Sequence, residues 1–162
     1  MADDATVTDL GGDKHAVRYE RRYAQPVDAV WAALTDGAKL GQWFAPGTVE
    51  LKPGGKVHLA FTNSPNVIDS TVTALAPKTL LEWHWNAGAV QGGPVRFELA
   101  PDGAGTRLTL THTVPTAMRR PSTLAAWHTH LELLDAALAG TPQAWSNDRF
   151  MAHRERYAKQ LG

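Results

Sequence analysis

The sequence predicts an α+β fold in which a curved antiparallel sheet of about seven strands wraps around a long C-terminal helix. Three observations predict it. Apolar residues alternate with polar ones through most of the middle of the chain, two short helical stretches interrupt that alternation after its first strand, and beyond Pro115 the apolar period changes to 3.6.

In order, residues 1 to 13 are polar, acidic and end in Gly11-Gly12-Asp13, which reads as a flexible N-terminal tail ahead of one domain over residues 14 to 162. Val17, Tyr19, Arg21 and Tyr23 then share one parity against Arg18, Glu20 and Arg22, the signature of a half-buried strand over about residues 15 to 23. Pro26 opens a helix carrying Val27, Val30, Trp31 and Leu34, which Thr35-Asp36-Gly37 stops, and a shorter helix follows over Ala38 to Trp43. Turns at Pro53-Gly54-Gly55, Asn63 to Asn66, Ala76-Pro77-Lys78 and Pro101 to Gly105 divide the next stretch into strands, with a loop expected over Asn86 to Gly93. Leu124, Trp127, Leu131, Leu134 and Leu138 form one helical stripe, with Ser122 expected as N-cap and Gly140 as stop, and a further helix covers about Asn147 to Leu161. A sheet with one apolar face needs a cover, and the Leu124 to Leu138 helix is the element long enough to supply it, leaving a pocket between the two.

A chain of 162 residues fits one core that buries roughly 70% of the unfolded surface. No cysteine is present, which excludes disulfides, thiolate nucleophiles and zinc-thiolate sites and suits a reducing compartment. Sixteen basic and sixteen acidic residues cancel without forming a run, so neither nucleic acid nor an anionic membrane surface is an expected partner. With no signal-like start and no apolar run long enough to span a bilayer, a cytoplasmic location is expected.

Arg21-Arg22-Tyr23, Pro26, Val30 to Asp36, Leu40 and Trp43-Phe44-Ala45-Pro46 resemble the opening of START-like (SRPBCC) proteins, in the branch named after the heat-shock-protein-90 ATPase activator homologues. Pro53-Gly54-Gly55, the segment from Ala76-Pro77 to Trp83, Gly105 to His112, and the Trp127 to Leu138 helix continue the resemblance over about residues 15 to 161. The glycine usual in that family before the helix tryptophan is Ala126 here. The resemblance implies a helix-grip fold and, across the wider superfamily, binding of lipids, polyketides, hormones or other hydrophobic molecules. It also implies alternatives, since some relatives are cyclases, aromatases or hydrolases and the branch takes its name from a co-chaperone domain.

Strand parity places Val57, Leu59, Phe61, Trp83, Trp85, Phe97, Leu108, Leu110 and His112 on the inner face, opposite Trp127, Leu131 and Leu134, with Trp43 and Phe44 at one end. Each is either core filling or pocket wall; several of the six tryptophans converging on one space favour flat walls for an aromatic guest. His112 reads either as a satisfied core histidine or as a hydrogen-bond anchor or general base, and His130, about 75° off the stripe at 100° per residue, approaches the same space. Arg21 is the inward cation, facing an acidic ligand group or a protein carboxylate. His58, Glu82, His84 and Glu98 fall on the outer face. His128 and His130 point about 200° apart on a helix, and no HExxH, GxSxG, phosphate loop or dinucleotide motif occurs, so neither a metal nor a cofactor is expected. The expected partner is a hydrophobic small molecule. Catalysis in the same pocket by His112 or Arg21, and a protein-interaction module using an exposed patch around Trp43, Phe44 and Trp145, are the alternatives.

Overall fold

The computed structural model describes residues 3–162. Its eight strands are β1 (Thr6–Gly11), β2 (Lys14–Tyr23), β3 (Gly47–Val49), β4 (Lys56–Ala60), β5 (Val67–Ala76), β6 (Leu80–Ala87), β7 (Val90–Asp102) and β8 (Gly105–Pro115). They form one sheet in the order β1-β2-β8-β7-β6-β5-β4-β3, every pair antiparallel. Helices α1 (Val27–Thr35) and α2 (Gly37–Leu40) follow β2, and α3 (Pro121–Leu138) and α4 (Asn147–Leu161) end the chain. This is the helix-grip arrangement, with one strand more than expected.

The additional strand corrects the expected tail. Thr6 to Gly11 pairs with β2 through Thr6↔Arg18 and Val7↔Val17, and its register slips at Asp9, where Gly11, Gly12 and Asp13 take positive φ to make the turn. Asp4 and Ala5 beside it are held by α4: Arg156 forks onto the Asp4 carboxylate at 2.7 to 3.1 Å, and Gln160 donates to the Ala5 carbonyl at 2.8 Å. Met1 and Ala2 of the expected tail lie outside the described residues.

The loop expected over Asn86 to Gly93 is also mostly strand. β6 and β7 continue to a tight turn at Gly88, and the register slips between His84 and Asn86, so the hairpin bends over the mouth of the sheet. Gly93 permits a close approach, because at φ 84° its missing Cβ would lie 2.0 Å from the Thr113 carbonyl oxygen.

Helix α3 lies in the sheet's concavity. Leu124, Trp127, Leu131 and Leu134 are buried against it, and the Tyr19 hydroxyl donates to the Leu124 carbonyl at 2.8 Å, tying the first turn of α3 to β2. Ser122 is not the N-cap. Arg120 holds that position and Pro121 stands first in the helix, where its missing N–H costs nothing. His128, Thr129, His130 and Leu133 are buried as well, because α4 and the segments around Trp43 and Trp145 cover the flanks that a stripe pointing only at the sheet leaves open. α2 ends at Leu40, sooner than expected, and the Asp36 side chain caps it by accepting from the N–H groups of Ala38 and Lys39.

Candidate functional site

The aromatic side chains expected to face each other do meet. Phe44 stacks on Trp127 with centroids 5.1 Å apart and planes within 6°, and it meets Phe61 and His130 edge-on at 4.9 Å each. Trp85 lies 5.7 Å from Trp127 and 5.8 Å from Phe61, while Trp83 and Phe97 close the deeper side. Leu59, Leu110, Leu131 and Leu134 form the floor and are fully buried.

The interior space is therefore narrower than parity implied. The rings and leucines interdigitate through the middle, and open volume survives at the two ends of the aromatic seam. One cleft, about 270 Å³, is walled by Trp85, His112, Met118, Trp127 and His130 and opens beside the first turn of α3. The other, about 380 Å³, lies between Trp43, Phe44, Asn63, Leu133 and Trp145, with His130 again in its wall. The residues that reach open space are thus Trp43, Phe44, Trp85, His112, Trp127 and His130. Leu59, Phe61, Trp83, Phe97, Leu110, Leu131 and Leu134 line neither cleft.

His112 is fully committed. Indole N–H only donates, so the 3.0 Å bond from Trp127 Nε1 makes His112 Nδ1 the acceptor and fixes the proton on Nε2, which donates to the Gly92 carbonyl at 2.8 Å. Burial pushes this imidazole down to about 4, so it is neutral at pH 7 with both nitrogens occupied. Its role is to hold Trp127 upright in the wall, which leaves no lone pair for general-base work.

His130 differs by one nitrogen. Its Nδ1 donates to the Trp43 carbonyl at 2.9 Å, which leaves Nε2 as an unprotonated acceptor. Burial holds this ring down at about 4 as well. Parity and the helical wheel put His130 on a flank; the loop after α2, which supplies the Trp43 carbonyl, turns that flank into a wall.

Among the described residues, Arg21 pairs with no carboxylate. Its Nη1 donates to the Glu20 carbonyl at 3.0 Å, its guanidinium carbon lies 5.8 Å from the Tyr19 ring centroid, and Nη2 is buried without a partner. It borders a polar cleft of about 740 Å³ on the opposite flank of α3, together with Tyr23, Glu132, Asp135 and Arg149. That cleft, larger than either of the two at the seam, has a mixed-charge wall and is separate from the aromatic seam.

A titratable cluster that sequence spacing missed joins α3 to α4. His128 and Glu132, four apart on α3, meet His153 of α4, and one donor atom from each lies within 4.8 Å of the others. The pair considered from the sequence was His128 with His130; the carboxylate one turn on, and the histidine on another helix, were the signals that mattered. Hydrogen bonding occupies both ring nitrogens of His153. Arg156 can only donate, so its 3.0 Å contact makes His153 Nδ1 an acceptor, and the Nε2 proton goes to Glu132 at 2.6 Å. A metal on that Nε2 would need the Nδ1 proton back, pointed at a guanidinium, so the donor set fits a hydrogen-bond chain rather than an ion. Tyr157 completes the chain: its hydroxyl accepts from Ala5 N–H at 2.9 Å and lies 2.7 Å from His128 Nδ1.

The exposed patch expected around Trp43, Phe44 and Trp145 does not form, since Trp43 and Phe44 are 2% and 7% exposed. Among the described residues, the large apolar side chains that are exposed, Leu10, Leu51, Val67, Val90 and Met151, are scattered along the chain. Among the described residues, no helix is long and apolar enough to cross a membrane.

The family model described as activator of Hsp90 ATPase homolog 1-like protein matches residues 24–139, from the strand-helix junction to the end of α3. The chain belongs to this family. Solved structures of similar fold include CalU16 from Micromonospora echinospora, with 23% identity, 98% of each chain covered and a TM-score of 0.77. A protein from Bordetella parapertussis shows 27% identity over 98% of this chain and 92% of its own, with a TM-score of 0.72. DynU16, a protein of the dynemicin biosynthetic locus, shows 25% identity over 78% of this chain and 48% of its own, with a TM-score of 0.63. No curated protein matches the chain. For a member of the activator homolog 1-like family, the match confirms the START-like grouping that the sequence motifs implied. It ends at residue 139, before α4, so the helix that buries His128 lies outside the shared pattern.

Proposed function

We propose that this protein binds a hydrophobic, aromatic small molecule, polyketide- or lipid-like in character, at the aromatic seam between the sheet and α3. The observation that carries the reading is the stacked wall of Phe44 and Trp127 flanked by Trp85, Phe61 and His130, open to solvent through clefts of about 270 and 380 Å³. Apolar concave walls with few polar groups are the usual setting for small-molecule capture. The membership of DynU16 in a biosynthetic locus supports a guest that is a natural product or its precursor. Catalysis by His112 has no support in the geometry, since neither of its nitrogens is free.

The test is a titration of intrinsic tryptophan fluorescence with fused-ring compounds. Saturable quenching is expected, weakened roughly fivefold or more in Trp85→Ala, because one aromatic wall contributes on the order of 1 to 3 kcal/mol. A linear, non-saturating response across naphthalene, anthracene and fatty-acyl probes sinks the reading.

A further inference from the structure

Polar side chains such as Asn66, Arg120, Thr123, Asn63 and Gln143 stand exposed or half-buried at the rims of the two clefts, whereas the buried part of the wall offers a guest few polar groups, which makes the exception there informative. Tyr19 donates to the Leu124 carbonyl, the Trp43 indole to the Ala33 carbonyl and the Trp127 indole to His112, whose remaining N–H goes to Gly92. His130 Nε2 is left over as the unused buried acceptor, beside the half-buried Trp85 and Trp145 indole N–H groups, which have no partner among the described residues either but can only donate. It has no hydrogen-bond partner among the described residues, although the residue is only 6% exposed. The buried orphan atoms sealed from solvent are His15 Nδ1, Arg21 Nη2 and Tyr23 Oη; the free nitrogen of His130 is not among them and so keeps a surface that a guest can reach.

Its chemistry is fixed by its neighbour. The Trp43 carbonyl accepts and cannot donate, so the proton stays on Nδ1, and Nε2 presents a lone pair. An apolar site containing one fixed acceptor discriminates between guests. A carbonyl, ether or carboxylate meets it lone pair to lone pair, a hydrocarbon leaves it desolvated and unpaired, and a hydroxyl satisfies it. Phe44 edge-on at 4.9 Å and Trp145 at the same distance on the other side keep the ring from swinging away.

We infer that the guest is a hydroxylated aromatic, in its simplest form a phenol, whose O–H donates to His130 Nε2 while its ring lies along the Phe44, Trp85 and Trp127 wall. This rests on the ligand-binding reading above and adds the chemical class of the guest. The neutral state of His130 at pH 7 agrees with it, as a protonated ring would present a donor there.

The test compares 2-naphthol with 2-methylnaphthalene, which share ring system and shape and differ in the donor. Tryptophan quenching is expected to show 2-naphthol binding roughly fivefold to tenfold more tightly, the usual worth of one net hydrogen bond. In His130→Phe that preference disappears, the ratio of the two affinities falling to about one. In the unmodified protein, nitrogen-15 NMR of labelled histidine follows the same bond whether or not the variant folds. The His130 Nε2 signal is expected to move away from the free-acceptor position on adding 2-naphthol and to stay on adding 2-methylnaphthalene. Equal affinities, or a Nε2 signal indifferent to 2-naphthol, overturn the hydroxyl assignment and leave the aromatic site standing. Failure of both compounds to bind overturns the site and the assignment together.

Discussion

Two histidines twenty residues or fewer apart in sequence do different jobs because of what touches one nitrogen. His112 was legible as an inward residue from the parity of Leu108 and Leu110, but its partners were not. The Gly92 carbonyl reaches it through an irregular hairpin, and the Trp127 indole comes from another element. The choice between core histidine and catalytic base is made by those two bonds. His112→Ala should cost roughly 2 to 4 kcal/mol in urea denaturation, since it opens a cavity and strands both the indole N–H and the carbonyl. Acid should weaken the fold through the same residues. His112 and His130, each held near 4 in the fold against an ordinary 6.5, stay neutral while the unfolded chain takes up protons. Their stabilising effect is therefore complete above about pH 6.5 and lost as pH falls towards 4. Melting temperatures from pH 7 to 4.5 should fall steadily, with a shallower fall in His112→Gln, where an amide that cannot titrate replaces the ring; parallel falls would show that His112 does not titrate as assigned.

At the scale of elements, the strands β2 and β4 to β8 and the helix α3 were legible because each carries an apolar stripe of fixed period. The first strand was not. Thr6 to Gly11 is largely exposed, so it has no buried stripe to advertise itself, and it is held by backbone pairing to β2 beside a segment gripped by Arg156, Tyr157 and Gln160. The second face of α3 was hidden for a similar reason: His128, Thr129 and His130 look polar in sequence, and hydrogen bonds rather than hydrophobicity bury them. Tyr157→Phe, which removes the hydroxyl that meets both His128 and Ala5, should cost roughly 1 to 2 kcal/mol and speed amide hydrogen exchange in β1 selectively. Unchanged exchange there would separate β1 from α4. Gly93→Ala tests the β7-β8 crossing, where a methyl group 2.0 Å from the Thr113 carbonyl oxygen and an unfavourable φ should cost roughly 2 to 3 kcal/mol by thermal melting; a neutral effect would mean the crossing is looser than it stands.

For the whole molecule, the fold followed from order and period alone, whereas the shape of its interior did not. Alternation shows which side chains face inward but carries no information about how far a phenyl or indole ring projects, and here Phe44 and the tryptophans fill the centre and leave space at the ends. The functional account depends on those ends accepting a guest. The most direct measurement is two-dimensional NMR of the six indole N–H signals during titration with 2-naphthol. Trp85 and Trp127 should shift together and saturate while Trp31, on α1 and outside both clefts, stays in place. Uniform shifts across all six, or none at any concentration reached, would contradict a binding site at the seam.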